Sequence, residues 1–287
     1  MVLKRHLPVL RLAPYSCSLG TIAVYLLLIP GCNALFRTWR AAFIVPALLT
    51  LLTAVLMLLF VKKDVPGTEN SRPEQAEQSE SHREPAPGFR EIWRLFLSAG
   101  IPLVMLSIVL HGFLRDGVNF WMPSMIKDTY NWGNSSSVIS TAILPVFSIL
   151  CVFITGKLLV MLKSEQTTSL LLWGVTLGSA LLLLATYRLS PVFAVAFQAV
   201  IFGAVHGIAH LLTSRLPRRF NKYHCVSTFS GLLNASTYLG SAVSSKLSDV
   251  AGGGGWNSVI LIWIAVSVLG VAATLLNLKR FHRFIRQ

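Results

Sequence analysis

The chain has 287 residues, of which 54% are hydrophobic and only 13% charged. Soluble domains carry roughly 25% charged residues, so this composition cannot coat a water-facing globule of its size. The formal net charge is +14, yet the basic residues sit in short bursts between apolar runs, which is the pattern of a polytopic membrane protein and not of a nucleic-acid-binding face.

A bilayer core about 30 Å thick takes about 20 apolar residues as helix. Eight runs meet or approach that length, over 16–32, 41–60, 95–124, 135–162, 167–187, 190–213, 226–247 and 257–278. None alternates like the strand of a membrane barrel. A helix satisfies its own backbone in lipid, so the predicted fold is an all-α polytopic membrane protein with eight transmembrane helices. Pro30 breaks the first run near its end, and the third crosses Pro102, where a kink is expected. The start of the chain, with Lys4 and Arg5 before an apolar stretch, mimics a signal peptide. It lacks a small-residue cleavage site, and the first run is read as a retained span.

Residues 61–94 hold seven of the eleven acidic residues, six basic ones and four prolines. This composition buries no core and reads as a linker; a partner-binding acidic tail is the other reading. It divides the chain into residues 1–60 with two helices, the linker 61–94, and residues 95–287 with six helices. Gly88 to Arg94 is expected to form an amphipathic helix on the membrane surface. With the N-terminus placed in the cytoplasm, only five of the 25 lysines and arginines fall outside, namely Arg37, Arg40, Lys127, Arg188 and Lys246; Arg115 lies within a run. This bias predicts that both termini are cytoplasmic. Anionic lipid accounts for the basic excess without nucleic acid.

Ionisable groups inside a membrane are costly, on the order of 3 kcal/mol or more, so each suggests function. The third run contains His111, Arg115 and Asp116. His111 and Arg115 are four apart and share a helix face, while Asp116 points elsewhere unless it pairs locally. Arg115 is either an anion-binding cation in a water-filled cavity, for which its planar fork suits carboxylate or phosphate, or it is satisfied by Asp116 or backbone carbonyls. The sixth run places His206 and His210 on one face, to bind substrate or carry a proton, or simply to bond between helices. Gly203 and Gly207, like Gly174 and Gly178, form GxxxG pairs that suit close helix packing. The seventh run is rich in small and hydroxyl residues, and its Asn234 and Tyr238, four apart, face either a ligand or a neighbouring helix.

Other chemistry finds little support. Cys17, Cys32, Cys151 and Cys225 include no CxxC pair, so neither a zinc site nor a disulfide framework is indicated. The glycine run of Ala251–Asn257 has no Lys-Ser/Thr ending and is not a phosphate loop. Outside the linker the carboxylates are Asp116, Asp128, Glu165 and Asp249, too scattered for an enzyme's acid–base pair. No cofactor and no metal is expected.

Four segments together resemble the major facilitator superfamily, in particular its branch of organophosphate/phosphate antiporters and organic-anion symporters. Trp39–Leu49 is similar to that branch's approach to its sixth helix, and the charged linker follows where the family joins its two lobes. Phe113–Asp128 resembles the seventh helix and its exit, with Arg, Gly, Trp and Pro in order. Val226–Asn257 resembles the eleventh helix and the turn into the twelfth. The resemblance implies that the eight runs correspond to helices 5–12 of a twelve-helix fold, that the first four helices have no counterpart, and that the chain is an N-terminally truncated or split form. It implies that Arg115 matches one of two arginines that hold a substrate phosphate, the other lying on a helix without counterpart here. The approach to the fifth helix, and the histidine of those antiporters, are also unmatched.

The expected function is secondary transport of a small, anionic solute by alternating access, as a symporter or antiporter in a plasma membrane of bacterial type. Arg115, His111, His206, His210, Asn234 and Tyr238 are the expected substrate-binding residues. The expected partners are the solute, a coupling ion, the lipid bilayer and a fragment that supplies the other helices. The alternative is a non-transporting membrane remnant or a sensor that works through its linker.

Overall fold

The computed structural model describes residues 18–24, 28, 31, 40–60, 89–98, 100–223, 225–251 and 254–285. Helix is the regular structure throughout these residues, with no strand. Contacts divide the chain into two units, one of residues 23–88 and one of residues 1–22 with 89–287.

The first of these contains α1 (Ala41–Phe60), which coincides with the second predicted run. It carries no charged side chain, so no face of it suits water. Thr50 and Thr53 donate their hydroxyls to the carbonyls of Pro46 and Leu49, both at 2.8 Å. That turns each hydroxyl inward onto the helix backbone and makes it tolerable in an apolar surrounding. About half of the predicted first run and most of the linker lie outside the described residues.

The second unit opens with α2 (Phe89–Ser98), a short helix where the amphipathic segment is predicted. Gly100 then adopts a left-handed conformation (φ 70°), and α3 (Ile101–Tyr130) begins with Pro102 in its first turn. The expected kink at Pro102 is therefore absent. A first-turn proline has no N–H to leave unpaired, and the chain breaks one step earlier at the glycine. Pro123 is the proline inside α3. At 30 residues this helix is roughly 45 Å long, longer than a hydrocarbon core.

Short connections then carry the chain back and forth. α4 (Asn134–Ser140) and α5 (Ile143–Leu162) are separated by a turn, and Lys163 ends α5 in a left-handed conformation. Ser164 caps α6 (Glu165–Thr186), accepting from the Thr167 N–H at 3.3 Å. Ser190 caps α7 (Pro191–Ala209) in the same way through Val192. A π-helical turn (His210–Arg215) and a 3-10 segment (Leu216–Tyr223) lead to α8 (Val226–Ala251) and α9 (Gly255–Ile285). Among the described residues, six helical stretches are long and apolar enough to cross a membrane. They include every predicted run except the first and the seventh. The seventh is a continuous helix, α8, whose Ser, Thr and Gly content keeps it below that apolar level.

α3 is central to this unit and packs against α7, α8 and α9, while α6 packs against α7 and α9. The core they share is built on Trp173, Trp263, Phe229 and Met122, all at most 2% exposed. Trp173 shows why three helices meet where they do. Its ring lies where a methyl group on Gly270 of α9 would stand, 2.5 Å from that carbon's position, and its Nε1 donates to Ser107 Oγ of α3 at 2.9 Å. A buried indole needs such an acceptor for its one polar atom. The two ends of the unit are also tied. At one end Arg219 donates through Nε and Nη2 to Glu165 Oε1 at 3.0 and 2.8 Å. At the other, Tyr187 donates its hydroxyl to Asn257 Oδ1 at 2.5 Å, Arg188 Nε donates to that same hydroxyl at 2.7 Å, and Tyr130 donates to the Tyr187 carbonyl.

Candidate functional site

Arg115 is the fifteenth of the 30 residues of α3, halfway along a helix that exceeds the membrane's thickness. Its guanidinium grips Asp116 with two hydrogen bonds, Nε to Oδ1 at 2.7 Å and Nη2 to Oδ2 at 2.9 Å. This is the local pairing that the sequence allowed. Neighbouring residues diverge by about 100° around a helix, but arginine is long enough to fold back across that angle. The pair is not sealed, with side chains 23% and 17% exposed.

The third member comes from α8. Arg115 Nη2 donates to Ser241 Oγ at 3.3 Å, and Ser241 donates in turn to the Thr237 carbonyl at 3.2 Å. Ser241 reaches Arg115 because α3 and α8 touch backbone to backbone. A methyl group on Gly112 would overlap the Thr237 carbonyl oxygen, and one on Gly240 would overlap that of Val109. Glycine at both positions allows this approach. Nη1 of Arg115 makes no hydrogen bond among the described residues. The site is therefore an intramembrane cation whose fork already holds a planar carboxylate, with one nitrogen to spare. A second carboxylate drawn to that fork would lie near the first, and at ~4 Å two like charges repel by about 4 kcal/mol at an effective dielectric of 20. That exceeds the ~1.5–3 kcal/mol of a hydrogen bond to a charged group.

The remaining predicted residues separate into two groups. His111 is fully buried, and neither ring nitrogen has a hydrogen-bond partner among the described residues. It faces the interior and interacts electrostatically with Arg115, Asp116 and His206. His206 of α7 donates from Nδ1 to the Phe202 carbonyl at 2.9 Å and packs against the Phe202 ring. A carbonyl only accepts, so Nδ1 carries the proton and Nε2 is left as an acceptor. The structure thus gathers Arg115, Asp116 and His111 of the middle of α3 and His206 of the last turn of α7. His210 does not join them. It opens the π-helical turn, and the charged groups acting on it are Arg215 and Arg218.

Asn234 and Tyr238 are exposed on α8, Tyr238 by 62%. With Ser241 they follow the i, i+4, i+7 spacing of one helical strip. Ser241 escaped the sequence reading, where it was one hydroxyl among many; that spacing was its only signal. Of the GxxxG pairs, Gly203 and Gly207 pack closely, against Cys151 and Phe147 and against Thr155 and Leu172, whereas Gly174 and Gly178 meet nothing within 4 Å.

No curated protein matches the chain. A family model described as Major Facilitator Superfamily matches residues 15–245. That span takes in α1, the site on α3, the gathered histidines and most of α8. With its membrane-length helices and a match over most of its length, the chain belongs to the Major Facilitator Superfamily.

Proposed function

We propose that this major facilitator transporter moves a small anionic solute by alternating access, and that the strip of Arg115, Asp116, Ser241, Tyr238 and Asn234 faces the water-filled path. The observation that carries the reading is a mostly buried but unsealed guanidinium–carboxylate pair at mid-membrane depth, on the same side as an exposed Asn–Tyr strip. Such groups are not stable against acyl chains, so their exposed side belongs to a cavity. Alternating access brings two lobes together around a site at the midplane. In this reading residues 95–287 form one lobe, residues 61–94 the linker and residues 1–60 the last two helices of the other lobe. Affinity with the organophosphate and organic-anion branch fits the position of Arg115. The basic residues at the Glu165–Arg219 end favour that end, with both termini, in the cytoplasm. His111 and His206 shape the wall behind the site, and His210 lies toward its cytoplasmic mouth.

The test is solute-dependent thermal stabilisation across an anion panel, followed by uptake into liposomes, for the wild type and Arg115→Lys. Lysine keeps the charge but loses the planar fork. The reading requires anion-dependent stabilisation that weakens at least about tenfold in affinity in the lysine variant, the loss of ~1.4 kcal/mol. Equal affinity in both proteins would make Arg115 a structural residue, as its pairing with Asp116 would suit in a non-transporting membrane protein.

A further inference from the structure

We infer that the short helix α2 is a docking strip for an anionic phospholipid, with Arg90 and Arg94 on the lipid's phosphate and Trp93 and Leu97 along its acyl chains. The inference is independent of which solute the protein moves and needs only that α3 spans the bilayer.

Depth comes from α3. Arg115 stands halfway along it, and Ile101, its first residue, lies about 21 Å from that midpoint at about 1.5 Å per residue. Half a bilayer is about 15 Å of hydrocarbon, or about 20–22 Å with its headgroups. A centred α3 therefore hands the chain to α2 at headgroup level. Gly100 breaks the helix between them in its left-handed conformation. A methyl group there would overlap the buried Asn277 side chain of α9, so the elbow takes glycine and α2 is a separate helix.

The strip has a mixed chemistry. Arg90, Trp93, Arg94 and Leu97 follow the i, i+3, i+4, i+7 spacing of one helical strip. All four are exposed, Trp93 by 53% and Leu97 by 51%. Phe96 packs against the core and stacks its ring on that of Trp93, with centroids 5.2 Å apart, which holds the indole in place. Neither guanidinium makes an ion pair or hydrogen bond among the described residues. By register Glu91, the acidic residue of α2, falls outside the strip.

Neither water nor hydrocarbon alone suits such a strip. Water leaves an indole and a leucine side chain uncovered, and hydrocarbon strands two cations. A phospholipid satisfies both halves. Arginines four apart on a helix have Cβ atoms about 5–6 Å from each other. Their long side chains can converge on one phosphate through charge-assisted hydrogen bonds, their stems lying along apolar surface. The indole and the leucine then meet the upper acyl chains, at the level where tryptophan gathers in membrane proteins. Two cations at one phosphate select a headgroup of net negative charge, because a zwitterionic lipid brings its own ammonium group to the same place.

The test titrates the full chain in mild detergent with phosphatidylglycerol or phosphatidylcholine and counts bound lipid by native mass spectrometry. Each arginine near an anionic headgroup is worth about fivefold in affinity. Arg90→Gln with Arg94→Gln should therefore weaken phosphatidylglycerol binding about thirtyfold and leave phosphatidylcholine binding unchanged. Arg215→Gln with Arg218→Gln, exposed basic residues beyond α7, is the control and should change neither. A second reading needs no arginine substitution: phosphatidylglycerol brominated high in its acyl chains should quench the tryptophan emission of the wild type more than that of Trp93→Phe. Equal phosphatidylglycerol affinity in the wild type and the Arg90–Arg94 variant would overturn the inference, as would equal quenching in the wild type and Trp93→Phe. An equal loss in the control would reduce the strip to diffuse attraction. Displacement of the lipid by inorganic phosphate would make it a free-anion site. Tighter lipid binding after neutralising the six carboxylates of residues 64–84 would make the linker, and not lipid, its occupant.

Discussion

Replacing Gly240 by alanine tests the contact that brings α8 to Arg115. The added carbon would overlap the Val109 carbonyl oxygen and lie 2.8 Å from both the Val109 carbonyl carbon and the Phe113 nitrogen. All three are backbone atoms, so no rotamer change relieves the clash, and the two helices must part by about 1 Å. A gap of that size forfeits about a quarter to a half of the dispersion attraction across it. Overpacking between rigid elements costs about 3 kcal/mol at the upper end of its usual range. Alanine's better helix propensity returns about 1 kcal/mol. The net expectation is a loss of about 2 kcal/mol. Gly231 lies on the same helix with nothing within 4 Å of its added carbon. Gly231→Ala should therefore gain about 1 kcal/mol from propensity alone. The difference of about 3 kcal/mol corresponds to roughly 6–12 °C in Tm for a lobe of this size. Tryptophan fluorescence during thermal unfolding in detergent reads it directly. Equal shifts for the two alanine variants would refute the close α3–α8 contact and, with it, the placing of Ser241 at the site.

Two further variants test what holds the lobe together. Ser107→Ala leaves the buried Trp173 Nε1 without an acceptor and should lower stability by about 1–2 kcal/mol; combined with Trp173→Phe the losses should fall short of additive, as a double-mutant cycle would show. Arg219→Gln strands the carboxylate of Glu165, which is 6% exposed against 44% for its partner. Because the arginine is half in solvent, the expected loss is about 1–2 kcal/mol in thermal unfolding, below that of a fully buried pair.

Much of the fold is legible in the sequence because membrane helices announce themselves by length and composition. α1 occupies the 41–60 run that apolarity alone marks out. The start of α3 is not legible in this way, because the apolar run continues from Leu95 through Pro102 with only Ser98 between, and composition does not register a left-handed glycine within it. The site was legible only in part. A lone arginine in an apolar run is conspicuous, but its third partner lies 126 positions away and depends on two glycines that let the helices touch. His111 shares a face with Arg115 by spacing, yet is fully buried where Arg115 is not. That difference comes from the packing of α7 and α8 over α3, which no local pattern encodes.

The account stands on water reaching the polar side of this lobe at mid-membrane depth. In a background with the native cysteines replaced, Asn234→Cys and Tyr238→Cys in intact membranes are treated with a membrane-impermeant maleimide, which needs a hydrated thiolate. Leu182→Cys, on an exposed apolar face of α6, is the control. The account predicts labelling at 234 and 238 and none at 182. Asn234 and Tyr238 positions as inert as 182 would place the strip, and the guanidinium beside it, against lipid and contradict the account.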